Sequence, residues 1–357
     1  MVGISMVVTC YNLEKYIETS LRSVFAQDYS GPMEVIIIDD ASQDNSVFII
    51  EKAINQYGSG WDVTFLRNEK NMGVSGATDR GWQLAKYEWI LEIDGDDVQY
   101  PDRCTKTAQL IEKYSNAGAI FMSFRCIDSF GKGDWINYMI KGNPDSVYCA
   151  DSPKARADIF MGRTDNLPVA RGAYGCSFAI NKRVVDEWGA LNADGIKCYA
   201  QDPPWELRAF LSFAIVWSNQ LACLYRSHSS NILNRERRCD SIEDCIKNEL
   251  DMCEYDKKEL QALNRMIEDV NHALSERKKS DWEQNDLKSC LLVLSSYKLA
   301  RTVRADWWTK GVIERIYLIV KNWNKIPNVF KRCLVSRIVP LRFYAWLKMK
   351  KLKFRKK

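Results

Sequence analysis

The sequence predicts an α/β fold: a mainly parallel central sheet, covered by helices on both faces, with a helical extension behind it. Three observations carry this expectation. Short, continuously apolar, β-branched runs alternate with amphipathic stretches through the first part of the chain, as in parallel sheets buried on both faces. Three of those runs end in polar or acidic residues: Thr9, the pair Asp39/Asp40, and the group Asp94/Asp96/Asp97. Open sheets of this kind bind ligands beyond the carboxyl ends of their strands. From about Ser241 the pattern turns helical and polar.

Taken in order, Ile4 to Thr9 is the first strand, and the turn-like Cys10-Tyr11-Asn12 ends it. Leu13 to Ala26 reads as a helix, because Leu13, Ile17, Leu21 and Val24/Phe25 recur at three-to-four spacing before Gly31-Pro32 breaks the pattern. Glu34 to Ile38 is a strand, Ser46 to Tyr57 a helix, and Val63 to Leu66 a third strand. Gly73 to Ala85 holds a helix after a glycine-punctuated loop, and Glu88 to Ile93 runs as a strand into Asp94-Gly95-Asp96-Asp97. Ala119 to Phe124 is a further strand, and residues 128 to 170 read as loop-rich connections. Tyr174 to Ile180 reads as a strand, Lys182 to Trp188 as a helix, and Ala214 to Trp217 and Leu221 to Tyr225 as two strands. Helical periodicity then runs through Ile246, Leu250, Cys253, Leu260, Leu263 and Met266, and again from Leu287 to Leu299.

Composition narrows the class. A chain of 357 residues with 46% hydrophobic and 27% charged residues can bury a core. Its net charge of +5 conceals an asymmetry: from Arg301 onward there are 17 Lys/Arg against two acids, whereas the preceding 300 residues hold 34 basic and 44 acidic residues. No cationic leader with a cleavage site precedes the first strand, and no uncharged apolar run reaches the ~18 residues of a spanning helix. Twelve cysteines lie scattered without a CxxC pair. They read as core thiols of a protein kept in a reducing compartment.

The chemistry concentrates at Asp94-Gly95-Asp96-Asp97. Carboxylates crowded on one turn repel unless a cation sits among them. Hard divalent ions accept such oxygen ligands together with a substrate phosphate. An acidic turn before Pro101 accounts for the same residues, so the order of the neighbouring blocks decides the reading.

Those blocks are Thr9-Cys10-Tyr11-Asn12, then Ile38-Asp39-Asp40-Ala41-Ser42-Gln43-Asp44, then Asn71-Met72-Gly73, then Ile93-Asp94-Gly95-Asp96-Asp97 with Pro101-Asp102-Arg103. In this order they resemble family 2 glycosyltransferases of the GT-A fold, a Rossmann-like nucleotide-diphospho-sugar transferase fold, over roughly residues 3 to 231. The resemblance implies that Asp40 reads the uracil edge of a UDP-sugar, with Thr9, Tyr11, Asn12, Asp39, Asn71 and Gly73 around the nucleotide. It implies that Asp96 and Asp97 bind Mg²⁺ or Mn²⁺ and the diphosphate, with Asp94 near the ribose or the metal.

Ala200-Gln201-Asp202-Pro203-Pro204-Trp205-Glu206-Leu207-Arg208 resembles the family's catalytic acidic segment. Asp202 is then the general base that takes the proton of an acceptor hydroxyl. Glu206 is the second carboxylate nearby. Tyr225-Arg226-Ser227-His228 matches a further signature, which implies that His228 touches metal or phosphate. Tyr174, Trp205, Glu206 and Arg226 are the residues offered to the sugar or acceptor. The chain departs from the family pattern in three places. Gly76-Ala77-Thr78-Asp79-Arg80-Gly81 replaces an alanine-arginine-asparagine run, Gln201 stands where an acid is usual, and Ala41 stands where glycine is frequent.

The C-terminal stretch mixes aromatics, aliphatics and Lys/Arg from Trp307-Trp308 to Lys356-Lys357. That composition suits an anionic membrane surface. A helical cap on the catalytic domain and nucleic-acid binding are the rival readings, and no nucleic-acid motif accompanies the charge. The expected organisation is a GT-A catalytic domain over 1–231, a helical extension over 232–300 and a basic, membrane-associating tail over 301–357. The expected function is an inverting, metal-dependent hexosyl- or N-acetylhexosaminyltransferase. It takes a UDP-sugar and a glycan or lipid-linked acceptor, in bacterial O-antigen, capsule or lipopolysaccharide synthesis. The expected location is cytoplasmic, at the inner face of the cell membrane. The alternatives are a degenerate nucleotide- or glycan-binding assembly factor and a sugar nucleotidyltransferase. The latter carries a glycine-rich loop after its first strand, which Cys10 to Glu14 lacks. Oligomeric state is not legible.

Overall fold

The computed structural model describes residues 1–163, 175–191, 202–228, 241–276 and 280–328, with single positions at 331, 334, 341 and 344. Its centre is a sheet in which β1 (Ile4–Cys10), β2 (Met33–Asp39), β3 (Val63–Arg67) and β4 (Trp89–Asp94) run parallel in the order β3-β2-β1-β4. Beyond β4 lie β9 (Phe178–Asn181), β6 (Ala117–Ile127), β10 (Ala214–Arg226) and the short β5 (Val98–Gln99). β9 pairs antiparallel with both β4 and β6, while β6 and β10 are parallel to each other. β7 (Ile136–Asn137) and β8 (Val147–Ala150) pair onto β6 and β10.

Both faces of the sheet are buried, which explains the uninterrupted apolar runs. Met6, Val8, Val35, Ile37, Leu91 and Ile93 point to one cluster with α1 (Ile17–Val24), α2 (Ser46–Tyr57) and α4 (Arg103–Lys113). Val7, Ile36, Ile38 and Ile90 point to the other. That second cluster receives α3 (Val74–Leu84), α5 (Pro153–Met161), α6 (Lys182–Trp188) and α7 (Asp202–Ser212). It also takes Leu263, Met266 and Val270 of α8 (Ile242–Ser275) and Leu287, Cys290 and Leu294 of α9 (Gln284–Ala305). Each such apolar side chain, once buried, contributes about 1.5–3 kcal/mol, and the extension shares the hydrophobic core of the sheet.

Three local expectations are corrected. The first helix starts at Ile17 rather than Leu13, because residues 12–14 donate their backbone N–H groups to Ser42, Ser46 and Asp44 across the sheet edge. The two strands expected over 214–225 are one strand, bulged around Ser218–Leu221. There Asn219 bonds the backbone of Ile140 and Asn143. The stretch 128–170 contains β7, β8 and α5. α5 carries an ordinary start signal, Ser152 accepting from Ala155 N with Pro at the first turn.

A buried ion pair fastens the extension to α7. Arg208 meets Asp269 through two bonds, 2.8 and 3.1 Å, and donates to the Gly189 carbonyl at 2.8 Å. Between α8 and α9, the fully buried Asp256 pairs with Arg301 and Arg304. Past α9, Trp307, Ile319 and Ile326 are buried against Ala300 and Val303, so the start of the basic region is a packed cap. Its helix α10 (Val312–Asn322) nevertheless turns Ile313, Ile316, Tyr317 and Val320 to solvent, and Trp323 follows on the same stripe. No helix among the described residues is long and apolar enough to cross a membrane.

Candidate functional site

The site forms where β1, β2 and β4 end side by side. Register places Thr9 beside Asp94 and Cys10 beside Asp39, so the three polar strand ends meet at one edge. Gly95 belongs there for a steric reason. A Cβ at this position would lie 2.7 Å from the Thr9 carbonyl oxygen and 2.9 Å from Ile17, and Gly95 N donates to that same carbonyl at 3.0 Å. Close approach is what requires glycine here.

On the β2 side Asp40 is buried and organises the loop after β3. Its Oδ1 accepts from Asn68 Nδ2 at 2.7 Å and Met72 N at 2.8 Å, and its Oδ2 from Gly73 N at 2.8 Å. Gly73 has φ +77°, a left-handed conformation suited to glycine. One acceptor position of Oδ2 remains after these bonds. Asn71 donates to the Asp40 carbonyl at 3.3 Å. Asp39 is fully buried, accepting from Ser42 N at 3.0 Å beside Arg67 at 3.4 Å. Asn12 and Ala41 both adopt left-handed backbone, φ 55° and 64°. Asn12 closes the edge by accepting from Gln43 N at 2.7 Å, and Tyr11 is exposed next to it.

The acidic turn separates carboxylates that the sequence treats alike. Asp96 is partly open, and its Oδ2 lies 2.8 Å from His228 Nε2. Asp97 is fully buried, its Oδ1 accepting from Arg226 N at 2.7 Å while Oδ2 has no hydrogen-bond partner among the described residues. Burial and the charge of Asp96 push the carboxyls of Asp94 and Asp97 well above the ordinary carboxylate range. Such crowding of acids at one place is what a bound cation relieves. Asp96 and His228, 2.8 Å apart, are therefore the pair that would hold a divalent ion, while the Asp97 carboxylate lies with Cys176 and Cys223. Burial also pushes the Cys176 thiol up, next to Asp97 and Cys223. Cys176 and Cys223 both pack in the core.

Arg226, expected near the sugar or acceptor, is committed elsewhere. Its Nε donates to the Asp96 carbonyl at 2.9 Å, and its guanidinium lies 5.1 Å from the centre of the Tyr16 ring. Tyr16 in turn stacks on His228 at 4.6 Å. The sequence reading missed Tyr16, whose only signal is its place one residue before the first helix.

Trp205 is likewise corrected. It is 1% exposed and packs on Trp82 at 4.8 Å under the Arg208 guanidinium, so it is core and not a sugar platform. Asp202 opens α7, and its charge raises the pKa values of both Glu92 and Asp94, which puts it within electrostatic reach of the acidic turn. Glu206 is half-buried one turn further on. Arg80 bonds to Asn68 and to the Arg67 carbonyl. Tyr174, Gln201 and the region from 229 to 240 lie outside the described residues.

Comparison with known proteins bears on the family and the fold. The family model described as glycosyl transferase family 2 matches residues 5–188. An uncharacterized glycosyltransferase of Haemophilus influenzae is 32% identical over 123 residues, 34% of this chain and 39% of that protein. The aligned stretch thus spans less than two thirds of this relative's length. In fold the chain is similar to S. aureus TarS 1-349, solved in complex with UDP-GlcNAc, at TM-score 0.56 and 18% identity, covering 97% of this chain and 88% of that one. It is also similar to the mannosyltransferase PcManGT from Pyrobaculum calidifontis, solved with GDP-Man and Mn²⁺, at TM-score 0.50 and 11% identity, covering 97% and 86%. The fold is of the GT-A type.

Proposed function

This chain belongs to glycosyl transferase family 2, a family of nucleotide-sugar transferases, and on that premise we propose that it is an inverting enzyme using a UDP-sugar. The observation that carries the reading is the meeting of Asp96 with His228 beyond the strand ends, next to Asp94, whose carboxyl the charge of Asp202 helps to raise. Asp202 takes the proton of an acceptor hydroxyl as that oxygen attacks the anomeric carbon. The oxygen–carbon bond forms as the bond from carbon to the diphosphate breaks, so one displacement inverts the centre. Asp40, with its remaining acceptor position, takes the N–H of the base. Thr9, Tyr11, Asn12, Asp39, Asn71, Gly73 and Asp94 surround the nucleotide. Asp97 braces the turn through Arg226 N, leaving Asp96 and His228 as the leading metal ligands. An Mg²⁺ or Mn²⁺ ion held there would offset charge developing on the leaving diphosphate.

The transferred group is a hexose or N-acetylhexosamine, and the acceptor a glycan or lipid-linked glycan of a bacterial surface polysaccharide such as O-antigen, capsule or lipopolysaccharide core. The α10 stripe, with Lys321 and Lys331 over the rings of Tyr317 and Trp323, supports peripheral contact with an anionic membrane. The test is UDP release from UDP-sugar in the presence of Mn²⁺, for wild type and Asp202→Asn. A loss of roughly 10²–10⁴-fold in turnover with UDP affinity retained supports the base. Unchanged turnover in Asp202→Asn, or no metal-dependent turnover in the wild type, rejects the mechanism.

A further inference from the structure

A cavity of about 540 Å³ lies between α5, α8, α9 and the segment after α10. Its size is that of a small-molecule site, ~300–1,000 Å³. Its walls include Phe160, Met161, Leu263, Leu294 and Ile326. One side reaches Pro203, the residue that follows Asp202 on α7. Another part of the wall is built by Asn324 to Pro327, which continue directly from the helix that turns Ile313, Ile316, Tyr317 and Val320 to solvent. Lys325, on the same wall, is exposed. The cavity thus touches both the residue after the base and the foot of a solvent-facing apolar stripe in the most basic part of the chain.

We propose that this chamber takes the hydrocarbon chain of an amphiphilic, lipid-linked acceptor, with the polar head directed toward Asp202. Three features select this occupant. The walls are more hydrocarbon than polar, their charged pair Glu259 and Arg301 meeting each other at 3.3 Å; the cavity reaches the residue next to the one that would deprotonate the acceptor; and Asn324 to Pro327 continue from the stripe that would meet a membrane. A water-soluble glycan would gain nothing from Leu263, Leu294 or Ile326. The proposal rests on the reading of Asp202 as the base.

The test uses the full chain and linear alkyl phosphates of increasing length, below their micelle concentrations, with inorganic phosphate as the chain-free control. Affinity is followed by calorimetry in wild type and Ser296→Trp, a half-buried wall position on α9. The expected result is affinity rising by about threefold to fourfold per methylene until the chamber is full, with this increase abolished in Ser296→Trp. Affinity independent of chain length, or equal to that for inorganic phosphate, overturns the proposal in the wild type alone. So does a Ser296→Trp protein that binds UDP and keeps the full chain-length dependence. A parallel UDP titration separates the two readings. UDP binding without chain dependence overturns this proposal only, whereas chain binding without any UDP binding removes the transferase reading and the acceptor role with it.

Discussion

Glu92 gives the fold a pH dependence that one substitution should remove. It lies within β4, fully buried, with Oε1 accepting from Thr78 Oγ1 at 2.8 Å and Oε2 from Trp82 Nε1 at 2.6 Å. Burial pushes its carboxyl from 4.5 up to about 8, against the pull of those two bonds, and the charge of Asp202 pushes the same way. The folded chain therefore holds a proton that the unfolded chain has already lost. Stability is greatest below about pH 4.5 for this group and falls as pH rises toward 8, because there the native state binds more protons. At about 1.4 kcal/mol per pKa unit, ionising Glu92 costs on the order of 4–5 kcal/mol. Glu92→Gln stays neutral and can still accept from Trp82 and donate to Thr78. Urea unfolding of both proteins at pH 5, 7 and 9 checks this. The variant should be close to wild type at pH 5 and several kcal/mol more stable at pH 9. Asp97 titrates in both proteins, and Asp94, which the Glu92 charge helps to raise, is eased in the variant, adding to its gain at high pH. Parallel curves would refute the reasoning.

Two further outcomes follow from packing. Arg208→Met leaves Asp269 buried without its partner and should destabilise the chain by about 3–5 kcal/mol in the same unfolding assay, with Asp269→Leu added to it restoring a large part. Ala41 holds φ 64°, which costs an L-residue roughly 1 kcal/mol. Ala41→Gly should therefore raise stability by about 0.5–1 kcal/mol, and a drop in melting temperature would contradict the strain.

Much of the fold was legible because the central strands are buried on both faces. Continuous runs such as Val35 to Ile38 admit few other assignments, and Ser46–Tyr57 forms its helix over the predicted span. The misreadings have local causes. Asn219-Gln220 looks like a turn, but Asn219 satisfies the backbone at 140 and 143 from within a bulge. Leu13 continues a helical period, yet its N–H is claimed by Ser46 across the sheet edge. In the site, the acids were found because acids at strand ends are conspicuous. The groups that position them were not. Tyr16 acts through a ring stacked on His228, and Asn68 through one bond to Asp40. Neither contact leaves a trace in spacing. Trp205 was misassigned because an aromatic near an acid resembles a sugar platform, whereas the helix turns it into the core.

The central claim is a uridine nucleotide held through a metal at Asp96. Calorimetric titration of a panel of nucleoside diphosphates, with and without Mn²⁺, against wild type and Asp96→Ala tests it most directly. The account predicts binding of UDP over the other bases, dependent on Mn²⁺ and lost in Asp96→Ala. Failure of every nucleotide to bind the folded wild-type protein, or equal UDP affinity with and without the ion, would contradict it.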